Sequence, residues 1–334
     1  MLNLRLLPWL LLTTACLAAC APRQGQTATT TTGDGDSLVV FFTGDLLLDR
    51  GVRTAMASHP ADWLLADVAP VLRRADATVA NLECPLTQVS TPVGKRYIFR
   101  ADTCMASMMR RAGITHANLA NNHTNDQGEQ GLRSTMHSLT RAGVVPIGCD
   151  TVSDDTAHLI HPSIVSKGDL RLALFPAVLL SQENWMPRPG ALSPLQPSLR
   201  QLERSVREHA RRHPTHRIAC ILHWGVEFQT QPTMQQMAQA AILAGAGADA
   251  IIGHHPHVVQ HPRRSDPIPT FYSLGGFAFD QSHPLARKGA VARIVVRHDT
   301  LTASLMPISI NSCRPEWDGH HDDTDTPPRQ DKQP

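Results

Sequence analysis

Beyond residue 37 the chain alternates short, continuous apolar runs with longer stretches whose apolar residues recur at helical spacing. The run 38–42 (LVVFF) is unbroken and leads into Thr43-Gly44-Asp45, as expected for a buried strand that delivers an acid at its carboxyl end. Runs at 77–82, 117–120, 144–147, 170–175, 218–222 and 250–252 read the same way. Helical spacing over 61–74, 101–112, 127–142, 195–212 and 234–246 separates them. Strands at 271–274, 291–296 and 301–307 close the series, the last two as a hairpin. Such alternation predicts an α/β fold built in layers.

The polar residues that interrupt this pattern fall just past strand ends, where open α/β sheets place their ligands. Five strands finish on a potential metal ligand: Asp45, Glu83, Asn122 with His123, His223, and His255 with His257. Any one of these alone reads as a turn, a cap or a satisfied core group. Together they read as one polar centre. Carboxylate and amide oxygens suit hard divalent ions, and imidazole suits Zn, Fe or Mn. A mixed set of this kind is what a hydrolytic centre with one or two divalent ions uses.

Composition changes the picture in two places. Thirty-one basic against 29 acidic residues give +2, which leaves no overall field for nucleic acid. Hydrophobic residues at 42% and charged residues at 18% exclude both a disordered chain and a coiled coil. The 18 histidines outnumber the aromatic residues, but only their placement at strand ends carries information.

The amino-terminal segment predicts export. Arg5, the apolar run 6–12 and the ending Leu17-Ala18-Ala19-Cys20 form a signal peptide over 1–19 that resembles a bacterial lipobox. The resemblance implies lipidation of Cys20 and a membrane anchor on the extracytoplasmic side of the cell envelope. Ala21, in place of an aspartate, favours the outer membrane where the organism has one. Residues 20–37 read as a flexible tether, 38–312 as the folded domain and 313–334 as a disordered, polar tail. Five further cysteines show no CxxC spacing, so their pairing is left open, and Cys220 reads as a buried thiol.

Six blocks carry a family resemblance. In order they are Thr43-Gly44-Asp45-Leu46, Asn81-Leu82-Glu83-Cys84-Pro85, Asn121-Asn122-His123-Thr124-Asn125-Asp126, His223-Trp224-Gly225-Val226-Glu227, Gly253-His254-His255-Pro256-His257 and Tyr272-Ser273-Leu274-Gly275-Gly276. They resemble the motifs of the CapA family of capsule-synthesis proteins, which includes the poly-γ-glutamate proteins and is similar to calcineurin-like metallophosphoesterases. The resemblance implies a four-layer α/β/β/α sandwich. It also implies Asp45, Glu83, Asn122, His223, His255 and His257 as metal ligands, with Glu83 bridging, and His123 as a non-ligand proton donor. His254 is an adjacent spare. Leu47 stands where the phosphoesterases carry a histidine, so one or two ions remain open, as does the loss of phosphatase activity. Gly276 replaces the asparagine usual in the family, and that loop is given no ligand.

Several roles stay open at this stage. Asp126 either orients the His123 imidazole or caps the following helix. Arg50 and Arg100 are candidates for binding a substrate carboxylate or phosphate, against ordinary solvated side chains. The stretch 95–100 (KRYIFR) is either a contact for an anionic polymer or an amphipathic strand. The functional expectation is an envelope lipoprotein supporting synthesis or export of an anionic, poly-γ-glutamate-like polymer, within a capsule-synthesis complex. An extracytoplasmic phosphoesterase and a non-catalytic polyanion-binding module are the alternatives.

Overall fold

Strand Leu38–Leu46 shows how the alternating pattern builds layers. Leu38, Val40 and Phe42 point into one core, while Phe41 and Leu46 pack into another. The computed structural model describes residues 37–319, except 154, 156, 157, 182, 184, 186 and 187. The leader, Cys20, the tether and the tail histidines lie outside these residues.

Two large sheets face each other. An eight-stranded sheet runs Arg314–Trp317, Leu301–Asn311, Lys288–Val296, Leu38–Leu46, Ala77–Leu82, His116–Asn118, Val145–Ile147, with Gly276–Ala278 beside the end of Leu38–Leu46. A five-stranded sheet runs Thr270–Phe271, Ala250–His254, Arg217–His223, Leu170–Val178, Ser163–Lys167. Their facing sides make a core of strand residues alone, among them Val40, Phe42, Val79, Leu172, Leu174, Ile221 and Ile252. The outer face of the larger sheet packs against Val52, Leu72, Met109, Leu132 and Leu139 of four helices. The outer face of the smaller one packs against Leu202, Val206 and Leu243 of helices Leu199–Arg212 and Met234–Ala246. This is the layered α/β fold that the alternating pattern predicts, in the four-layer α/β/β/α form that the family resemblance implies.

Strands Leu38–Leu46, Ala77–Leu82, His116–Asn118 and Val145–Ile147 run parallel, as do Leu170–Val178, Arg217–His223 and Ala250–His254. Parallel strands end on one side, which brings the polar strand-end residues into one cleft. Gly44 permits a close approach there. A Cβ at that position would lie 2.2 Å from the Gly275 carbonyl oxygen, which accepts from the Asp45 amide at 2.9 Å.

The structure corrects several expected boundaries. The helix expected over 61–74 is a 3-10 turn, Trp63–Leu65, followed by Ala69–Leu72, because Pro70 lacks an N–H and starts a new helix. The 195–212 helix begins at Leu199, where Ser198 accepts from the Gln201 amide; residues 195–198 are loop, following the short strand Leu192–Pro194. The 271–274 strand divides at Tyr272 between two sheets. The tail expected from 313 contains the edge strand Arg314–Trp317. Pro315 argues against a strand in sequence, but an edge tolerates it. Arg314 holds the strand down by pairing with Asp67 at 2.8 Å and stacking over Trp63. All five cysteines among the described residues are free.

Candidate metal centre

Glu83 follows strand Ala77–Leu82 directly and is fully buried. Neither of its carboxylate oxygens has a hydrogen-bond partner. His223 Nε2 stands 3.5 Å from one oxygen and His257 Nδ1 3.9 Å from the other. Burial, reinforced by the charges of Asp45 and Glu227, pushes this carboxyl well above its ordinary range. An uncompensated buried carboxylate is costly by itself and is stabilised by a cation.

Asp45 is the opposite case. Its oxygens accept from Asn81 Nδ2 at 2.8 Å and face His254 Nδ1 at 3.1 Å and His257 Nδ1 at 2.9 Å. Burial acts to raise its pKa, but those two imidazoles outweigh it and hold the group well below the usual carboxylate range. Asn118 donates to Asn81 at 3.0 Å, so an amide ladder across adjacent strands orients Asp45. His254 is therefore no spare, and Asn81 is a supporting residue that the sequence pattern does not mark as part of the site. Its one signal was an amide buried inside an apolar strand.

The remaining expected ligands converge on the same cleft. Asn122 Oδ1 lies 2.9 Å from His223 Nε2. The buried Nδ1 atoms of His223 and His255 have no partner. Burial keeps both imidazoles neutral, His255 titrating at about 3 and His223 well below its ordinary value. Neutral imidazole is the form that binds metal. Ligand atoms of Glu83, His223 and His255 lie within 4.8 Å of one another, as do those of Asp45, Glu83 and His257. Glu83 belongs to both groups. The orphaned oxygens, neutral rings and mixed donor set fit a divalent ion. Backbone strain marks the same loops, with His255 at φ 97° and His257 at φ 57°.

His123 sits beside this set rather than in it. Its Nδ1 lies 2.9 Å from Asp126 Oδ2, which also accepts the Phe99 amide at 2.8 Å. Asp126 Oδ1 pairs with Lys95 Nζ at 2.9 Å, both side chains almost wholly buried. The following helix is capped at Gln127, so Asp126 serves the imidazole and not the helix. A proton held on Nδ1 by Asp126 leaves Nε2 as the reactive nitrogen. Burial lowers the His123 pKa, and Asp126 partly offsets that.

The stretch 95–100 is neither an amphipathic strand nor a uniformly exposed basic surface. Lys95 and Phe99 turn inward, and Tyr97 is 52% exposed. Phe99 packs on His123 with ring centroids 4.2 Å apart, and Phe279 on His257 at 4.9 Å. Arg50 lies over both phenyl rings, which places it at the cleft, but its guanidinium is already paired with Asp280. The Arg100 amide donates to Asp49 at 2.7 Å.

Residues 39–281 match the model of the bacterial capsule synthesis protein family PGA_cap. The capsule biosynthesis protein CapA of Bacillus anthracis is 26% identical over 288 residues, covering 85% of this chain and 70% of that protein. The PGA biosynthesis protein CapA of Bacillus subtilis (strain 168) is 26% identical over 299 residues, covering 87% and 77%. Among solved structures, the NAD nucleotidase of Haemophilus influenzae superposes with a TM-score of 0.49 at 11% identity, over 85% of this chain and 54% of that one. With the family motifs spread over most of the described residues and gathered at one cleft, the chain belongs to the PGA_cap family of bacterial capsule synthesis proteins.

Proposed function

We propose that the protein is an envelope lipoprotein, anchored through Cys20, that supports synthesis or export of an anionic capsule polymer of the poly-γ-glutamate type. It does so through a metal-dependent centre and as part of a capsule-synthesis complex. The observation that carries the metal-dependent part is Glu83, buried with two unpartnered oxygens between His223 and His257. Asp45, Glu83, Asn122, His223, His255 and His257 would hold one or two divalent ions of Mn, Fe or Zn. Such an ion supplies Lewis acidity and neutralises charge on an anionic substrate. His123, oriented through Nδ1 by Asp126, would take up a proton on Nε2 and pass it to a leaving group. No helix among the described residues is long and apolar enough to cross a membrane; in this proposal the anchor is the lipid on Cys20.

The same residues suit phosphoester hydrolysis without a capsule role, and a polymer-gripping site without turnover. Mature protein reconstituted with Mn, Fe or Zn separates these readings. Bound metal and cleavage of poly-γ-glutamate, lost in His123→Ala and Asn122→Ala, support the proposal. Turnover of bis-p-nitrophenyl phosphate alone moves the assignment to a phosphoesterase. Metal and polymer binding with no turnover leaves a binding module. Protein that takes up no metal sinks the metal-dependent centre. For the anchor, Cys20→Ser should move the protein from the membrane to the soluble fraction.

A further inference from the structure

The carboxyl end of the smaller sheet forms a second concavity, one strand away from the candidate metal ligands. Val178 ends strand Leu170–Val178 in register with His223, and the Leu179 amide donates to the His223 carbonyl at 3.0 Å. Beside this pair a cavity of about 450 Å³ opens between the loop after Val178, the loop before helix Leu199–Arg212 and the start of helix Met234–Ala246. That volume lies within the roughly 300–1,000 Å³ of small-ligand clefts. Among the described residues no charged side chain lines it, and its polar side chains are amides and hydroxyls. Gln236 is already satisfied, its Oε1 accepting from the Thr233 amide at 2.9 Å and its Nε2 donating to Gln260 Oε1 at 3.0 Å. Gln196 Nε2 donates to the Leu180 carbonyl at 2.8 Å, which leaves the Gln196 oxygen available. Gln239 differs from both. It is only 8% exposed and lines the cavity, yet its amide has no hydrogen-bond partner among the described residues. Buried side-chain amides are nearly always bonded, so one left bare toward a cavity marks a place for a ligand. Gln235 stands one helical turn before it on the same face and is exposed.

We propose that this cavity is a subsite for the main chain of a γ-linked polyamide, with Gln239 bonding an uncharged secondary amide of the polymer. A γ-glutamyl repeat offers one such amide, two methylenes and one carboxylate. The Gln239 side chain carries both a donor and an acceptor, so it can meet the carbonyl and the N–H of that amide. Val178, Leu199 and the half-exposed Val226 supply an apolar wall for the methylenes. The carboxylate finds no cation among the lining residues and is left to solvent and to the neighbouring cleft. The two sites then read different features of one chain. A metal centre answers to negative charge, which any polyanion has, whereas a buried amide rejects a chain that cannot bond it.

This inference rests on the capsule-polymer reading, and calorimetry in chelator separates it from the metal-dependent part. Full-length mature protein and its Gln239→Leu and Gln235→Ala variants are titrated with a γ-linked glutamate hexamer and with the same hexamer amidated on its carboxylates. Polyphosphate and an N-acetylglucosamine oligomer serve as comparison ligands. The parent should bind both hexamers, and each variant should bind them about three- to tenfold less tightly, the worth of one hydrogen bond. Gln239→Leu exchanges an unpartnered buried amide for an apolar side chain of similar size, so its thermal midpoint should not fall. Should that variant fail to fold, Gln235→Ala, altered at an exposed position, decides the matter. Parent-like affinity in both variants, or a parent that binds neither hexamer, overturns the subsite. Sugar oligomer bound by the parent and lost in Gln239→Leu overturns the polyamide as occupant. Parent protein that binds the amidated hexamer but takes up no Mn, Fe or Zn supports the subsite and sinks the metal-dependent centre.

Discussion

Replacing Lys95 with methionine tests how the proton-donating side of the cleft is held. Its side chain is 3% exposed and that of Asp126 is fully buried, with 2.9 Å between Nζ and Oδ1. The same ammonium donates to Asn125 Oδ1 at 3.0 Å and to the Asn122 carbonyl. Lys95→Met keeps most of the side-chain volume but leaves a carboxylate and two further acceptors without that donor. Removing one partner of a buried ion pair costs about 3–5 kcal/mol. Asp126 retains the Phe99 amide and the His123 ring, which places the expected loss near about 3 kcal/mol. For a domain of this size that lowers the thermal midpoint by roughly 6–10 °C. Asp126→Asn alone should cost a similar amount, since it turns an amide toward a buried ammonium. The double variant should recover most of the loss, because the new amide nitrogen faces the acceptors that the ammonium left. Urea unfolding of all four proteins in chelator gives the coupling energy, expected at about 2 kcal/mol or more. A Lys95→Met cost under about 1 kcal/mol, or single costs that simply add, would refute this account.

Three further outcomes follow from the same geometry. Glu83→Gln should stabilise the metal-free protein, while abolishing the thermal shift produced by metal. Because Glu83 is raised in the folded state, the parent loses stability as pH climbs above the usual carboxylate range and the variant does not; a stability gap that does not widen between pH 5 and pH 8 in chelator contradicts this. Gly44→Ala should cost about 3 kcal/mol, because the new methyl meets the Gly275 carbonyl at 2.2 Å, and a midpoint within 2 °C of the parent would show that the two strands can part easily. His116, on a central strand, is held by burial at about 4, below its ordinary 6.5. It therefore stays neutral when folded, and its contribution to stability, at most about 3 kcal/mol, is present above pH 6.5 and lost as pH falls toward 4. His116→Gln should flatten the acid side of the stability profile by that amount, and an unchanged slope would locate acid sensitivity elsewhere.

The amino-acid pattern by itself determined the alternation of strands and helices and which polar residues stand at the strand ends. Strands buried on both faces must be apolar throughout, so Leu38–Leu46 and Arg217–His223 were legible as interruptions of polarity, and their ends as the only polar positions nearby. Helix Met234–Ala246 was legible to the residue, because its Thr233–Gln236 capping box and the left-handed Gly247 are local chemistry. What the tertiary structure decided is which partner each group meets. Lys95 looked like a surface cation until the loop 95–100 folded over Asp126, 31 positions along the chain. Arg50 looked free until Asp280, 230 positions away, took its guanidinium. Asp45 and Glu83 were indistinguishable as strand-end acids. The imidazole loop satisfies one and leaves the other bare. Burial and hydrogen bonding between distant segments set the energy of a charge, and spacing along one chain does not record those contacts.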